Sequence, residues 1–117
     1  MNRNDLETRL IEFSVVIIKL SRKMRKSYAA RNLSSQLIRS GTSVSLNYGE
    51  AQSGESRKDF IHKLKIILKE LRESYICLRI IQKTQLCSDV KELEIIKTEN
   101  NELISIFVKS ITTASKN

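Results

Sequence analysis

Apolar residues recur along this chain in steps of four and three, and the longest such run has a second stripe on its back. From Ser56 to about Thr84 a single helix is predicted. Phe60, Leu64, Ile67, Leu71, Ser74, Leu78 and Ile81 form its apolar stripe, with one small polar member. About 200° away, at 100° per residue, run Lys58, His62, Lys65, Lys69, Arg72, Ile76, Arg79 and Lys83. One face of this helix must be buried. The other is a basic ridge about 37 Å long at 1.5 Å per residue.

Three further helices follow from the same periodicity. The first spans about 5–23, with Asn4 and Glu7 spaced as a capping box and Leu6, Leu10, Phe13, Ile17, Leu20 and Met24 in register. Ile11, Val15, Val16 and Ile18 widen that stripe. Lys23–Asn32 lacks periodicity and reads as a connection. The second helix spans about 33–52, around Leu37, Ile38, Val44, Leu46 and Tyr48. Its middle, Ser40–Ser45, is poor in helix formers, so packing must hold it. Gly41, Ser45 and Gly49 offer a groove for close approach. A turn at Ser53-Gly54-Glu55 leads to the third helix at 56–84, opened by Ser56 and Asp59. Asp89 and Glu92 supply a capping box for the fourth, at about 89–115. Asn100 falls on its apolar stripe, either as a buried register-setting group or at the rim.

Four long helices with short connections predict an all-α domain over residues 1–117, an antiparallel up-down-up-down four-helix bundle. Composition agrees: the 117 residues contain no proline and only three glycines. No run of about 18 apolar residues exists, so no membrane span is predicted. The N-terminus lacks signal-peptide order, which places the protein in the cytoplasm. Cys77 and Cys87, ten residues apart, read as reduced structural thiols. The apolar faces of the first, third and fourth helices are broader than a small bundle needs, which predicts association of copies.

Charge is spread unevenly. Residues 57–87 hold eight basic and three acidic side chains, more than half of the chain's net +8, while residues 88–117 carry a net −1. A face that only solvates mixes both signs, yet seven of the eight ridge positions are basic or histidine. Lys69 and Glu73 could still form an ordinary surface pair. A polyanion partner, a merely soluble face and an acidic protein partner are the competing readings. Arg57, Lys63, Arg25, Lys26 and Arg31 could broaden the patch. Tyr28, Tyr48 and Tyr75 are too scattered for a stacking platform, so contact would be to backbone phosphates.

Catalytic chemistry finds little support. A di-metal bundle needs several inward carboxylates and usually two Glu-x-x-His pairs, and this chain has one histidine. His62 lies on the outward stripe, Asp59 being its lone acidic neighbour at that spacing. No triad spacing and no phosphate-cradling glycine loop occur. The sequence therefore predicts no enzyme, no metal and no cofactor.

The segment from Ser43 through Asn47, Glu50 and Ala51, and on through Phe60, Ile61, Leu64, Ile66, Leu68 and Glu70, resembles the signature of a bacterial family. This is the four helix bundle protein family, also called the 23S rRNA intervening-sequence protein family. The resemblance implies a helical bundle that assembles as a ring-shaped homopentamer and has no established enzymatic activity. Members occur inside insertions of large-subunit rRNA genes and also free-standing. Accessory proteins of diversity-generating retroelements are similar in fold, and they associate with nucleic acid and a reverse transcriptase. The family's polar positions map onto Asn47, Glu50 and Glu70, which read as a hydrogen-bonded brace between the second and third helices or, alternatively, with Glu50 and Glu70 binding a metal or contacting a partner.

The reading that results is a non-enzymatic homo-oligomer binding RNA or DNA through Lys58, His62, Lys65, Lys69, Arg72, Arg79 and Lys83. Binding through about five phosphates predicts a log K against log salt slope near −4. The alternative is an oligomeric scaffold that recruits a protein partner, such as a reverse transcriptase, without touching nucleic acid.

Overall fold

The computed structural model describes residues 1–53 and 56–116. Four helices follow in order: α1 (Arg3–Ser21), α2 (Tyr28–Gln52), α3 (Arg57–Thr84) and α4 (Val90–Ser115). Each packs on its neighbours around a square, α1 on α2, α2 on α3, α3 on α4 and α4 back on α1. The result is an antiparallel four-helix bundle, 47 × 21 × 20 Å. The turn expected at Ser53-Gly54-Glu55 lies, at Gly54 and Glu55, outside the described residues.

Helix ends depart from the sequence-based boundaries for local reasons. The α1 cap is Asn2, not Asn4: its side chain accepts from Asp5 N at 2.9 Å, and Asp5 accepts from Asn2 N at 3.2 Å. Both asparagines stand three residues before an acid, and the earlier choice lengthens the helix. The α2 helix begins five residues sooner than predicted. Ser27 caps it through a bond from Ala30 N, and Ala30 is buried. Alanine favours helix but adds little to an apolar stripe, which is why 28–32 looked like connection. Ser56 and Asp89 cap α3 and α4 as expected. The box at Asp89 is only half built: one oxygen takes Glu92 N at 3.0 Å, and the other takes Lys23 Nζ at 2.7 Å.

The core is the predicted stripes facing inward, with Phe13, Ile17, Leu37, Ile67, Leu71, Leu78, Leu103 and Phe107 all sealed. Tyr48 and Phe107 meet edge to face at 6.0 Å. Small polar residues let helices approach closely. Ser74 donates to Glu70 O and meets Ser40 Oγ at 2.8 Å across the α2–α3 seam. Ser14 meets Gly41 O at 2.7 Å and Ser45 Oγ at 2.6 Å across the α1–α2 seam. The anticipated groove is therefore used at two of its three positions. Gly41 lies against Ile17, Ser45 against Ser14, and Gly49 has open space beside it. Asn100 is fully buried, donating to Leu71 O at 2.9 Å while its Oδ1 has no partner.

At one end of the bundle the two short connections pair with each other. Arg25 N donates to Leu86 O at 2.7 Å, and Ser88 N donates to Lys23 O at 2.9 Å. Gln85 closes α3 in the left-handed conformation (φ 55°), with Leu86 N reaching back to Ile81 O. Cys77 and Cys87 are buried free thiols, and burial pushes both above their ordinary pKa. Thiolate, the reactive form, is thereby suppressed.

Candidate nucleic-acid interface

The α3 helix can hold a long cationic face because its other sides are fully engaged. Leu64, Ile67, Leu71, Leu78 and Ile81 lock it into the core. Its α2 side carries the acids: Glu70 and Glu73 both accept from Arg39, Glu70 at 3.0 Å. Its α4 side carries Gln82, which takes Lys97 Nζ at 2.6 Å and donates to Glu94 at 2.8 Å. What remains outward is the predicted ridge.

Lys58, His62, Lys65, Lys69, Arg72, Arg79 and Lys83 are all exposed, and none makes an ion pair among the described residues. The Lys69–Glu73 pair is not formed, because Glu73 faces Arg39. Two apolar residues interrupt the upper half of this face: Ile76 is 50% exposed and Ile80 is 41% exposed.

Elsewhere the structure sorts cations into neutralised and free. Lys63 is drawn into the α2–α3 seam, donating to Glu50 at 3.0 Å and Asn47 at 3.4 Å. Arg57 donates to Ala114 O at 3.1 Å. Arg9 grips Glu99 through two 2.7 Å bonds and reaches Glu102 at 3.1 Å, tying α1 to α4. Hydrogen bonding to Glu99 holds the Arg9 pKa up, although partial burial opposes it. Sequence periodicity did not find this clamp, because Arg9 and its acids are 90 and 93 residues apart.

The family's polar positions divide into two sites. Asn47 and Glu50 share Lys63 of α3, and Asn47 also donates to Ser43 O at 2.9 Å. Glu70 stands apart, one of two carboxylates on Arg39. Both sites join α2 to α3, but through a lysine and an arginine that the sequence reading had not assigned to them. Among the described residues, no three His, Cys, Asp or Glu side chains gather as metal ligands would, and no helix is long and apolar enough to cross a membrane.

Fold and surface together define a small helical bundle that presents a cationic helix face with no neutralising acid among the described residues. Comparison with known proteins then gives the family. The model described as "23S rRNA-intervening sequence protein" matches residues 4–109, and the chain belongs to that family. Its structure is similar to the 1.70 Å crystal structure of a protein of unknown function, from the S23 ribosomal protein family of Bacteroides thetaiotaomicron. The two share 31% identity over 96% of this chain and 99% of the other, with a TM-score of 0.85. No curated protein matches the chain.

Proposed function

We propose that this protein is a non-enzymatic, homo-oligomeric nucleic-acid-binding factor that grips backbone phosphates with the outward face of α3. The observation that carries the reading is the run of seven exposed ridge side chains with no acid paired to them among the described residues. A helix that only needed solubility would gain from mixed signs, since unbalanced charge destabilises the folded chain by self-repulsion. Here Glu70 and Glu73 are spent on Arg39 instead. Four lysines, two arginines and a histidine on a convex face suit a sequence-tolerant phosphate contact.

Exposed apolar side chains support the homo-oligomeric part of the reading. Ile11 and Ile18 on α1 and Val90, Ile95 and Val108 on α4, away from the ridge, all stay at least 36% exposed, as surfaces awaiting a neighbour do. The family resemblance implies five copies. Such a ring would carry on the order of +40 and let weak contacts act together. Light scattering reads the copy number directly.

The test is a Lys65→Glu/Lys69→Glu/Arg72→Glu variant, checked for unchanged helicity and oligomeric state, against a 24-base-pair RNA duplex. The account expects loss of about 100-fold or more in affinity, because three phosphate contacts become repulsions. Unchanged affinity removes α3 as the contact. A second reading, an oligomeric scaffold for a protein partner, draws on Ile76 and Ile80 lying among the cations. It predicts no duplex binding even at 50 mM salt, and it predicts loss of partner binding on Ile76→Ser/Ile80→Ser.

A further inference from the structure

The basic run that follows α1 builds a second surface, different in shape from the ridge. Folding brings Arg22, Arg25, Lys26 and Arg31 around one cleft of about 650 Å³, whose wall also carries the hydroxyl-bearing Ser34 and Ser35. The connection that forms it is fixed in place. Lys23 is held by Asp89, and Arg25 pairs with Leu86 O through its backbone and Gln85 O through its Nε. That leaves Arg22, Lys26 and Arg31 exposed and without an ion pair among the described residues. Because Arg25 bonds the carbonyl of Gln85, the cleft starts where α3 ends, two residues past Lys83 of the ridge.

Three features of the cleft and its margin point to one ligand chemistry, one of them a single aromatic ring and not the platform of several that the scattered tyrosines cannot form. Three of its four cations are arginines, whose planar forks bind phosphate oxygens in pairs, whereas the ridge is mostly lysine. Hydroxyl donors stand on the same wall. Just outside the lining, Tyr28, the first residue of α2, stands one helical turn before Arg31 and is 71% exposed, more than any other aromatic residue described. An exposed ring next to a group of cations is how unpaired bases are held without regard to sequence.

We propose that this cleft, with Tyr28, binds an unpaired nucleotide segment continuous with the duplex that lies along α3. The inference rests on the ridge reading for the duplex and adds a strand-specific site to it. The protein would then favour a junction between paired and unpaired nucleic acid over either alone.

Three variants measured against a 24-base-pair RNA duplex, the same duplex with a ten-nucleotide single-stranded extension, and the isolated ten-mer test this. Arg22→Ala/Lys26→Ala/Arg31→Ala should lose the preference for the extended duplex and lower the ten-mer's log K against log salt slope by about 2. Tyr28→Ala should weaken ten-mer binding about tenfold and leave the plain duplex unchanged. A control of equal charge loss, Lys91→Ala/Lys109→Ala/Lys116→Ala, should leave the preference intact. If both cleft variants keep the preference and the ten-mer affinity, the cleft is not a site, whatever the ridge does. If they lose both while the ridge variant still binds duplex normally, the strand site stands and the α3 reading falls. Absence of any wild-type preference for the extended duplex overturns the proposal outright.

Discussion

The seams of α3 and its outer face use charge in opposite ways. In the seams, among the described residues, charged groups pair: Lys63 with Glu50, Arg39 with Glu70 and Glu73, Lys97 with Glu94. On the outer face seven basic or histidine side chains share no acid among the described residues. The same helix supplies both, and its acids all point toward a seam or, as Asp59, sit in the first turn where the dipole favours them. Net charge alone would not show this. What distinguishes a binding face from a soluble one is where the acids went.

The comparison can be broken at the seam first. Asn100→Asp puts a carboxyl into a fully buried site whose only hydrogen bond is a donated one. It should cost about 3 kcal/mol, read by urea unfolding, since the buried group loses its donor and gains a charge to desolvate. A cost below about 1 kcal/mol would mean that the α3–α4 seam is wetter than described.

Packing gives the next effect. A methyl group at Gly41 would come within 3.0–3.3 Å of three Ile17 side-chain carbons, whereas Gly49 faces open space. Gly41→Ala should destabilise by about 1–2 kcal/mol despite its better helix propensity. Gly49→Ala should stabilise by about 0.5–1 kcal/mol. Thermal melts of the two variants must move in opposite directions.

A direct contrast of cations follows. Arg39→Ala removes a half-exposed residue that holds two carboxylates and should lose about 0.5–1 kcal/mol with duplex affinity unchanged. Lys69→Ala should stay within about 0.5 kcal/mol in stability and weaken duplex binding instead. Equal effects on both properties would erase the distinction.

The smallest effect is in acid. Lys23, then the Glu92 N–H, hold the Asp89 carboxyl below the usual carboxylate range. A depressed folded pKa means stability that is complete above the unfolded value of about 3.9 and lost as pH falls through the folded one. Asp89→Asn keeps an oxygen for the helix cap but removes this titration. Its stability should therefore fall less steeply than wild type as pH drops below about 4.

How much of this was legible in the sequence depends on distance along the chain. The bundle and the ridge follow from helical periodicity, so placing Phe60, Leu64 and Leu71 inward commits Lys58, Lys65 and Arg72 to face out. The start of α2 was hidden because Ala30, a buried residue, does not announce itself as apolar core. Asn47 and Glu50 could be put on one helix face, but their lysine depends on how far α3 slides along α2. The Arg9 clamp and the cleft of Arg22 and Arg31 need the folded square and its paired connections. No local pattern contains them.

The central claim is that the unpaired face of α3 meets phosphates, and salt dependence measures that most directly. Affinity of the wild-type protein for a 24-base-pair RNA duplex, followed from 50 to 300 mM salt, should give a log–log slope near −4. A slope near zero, or no binding at 50 mM, would contradict it.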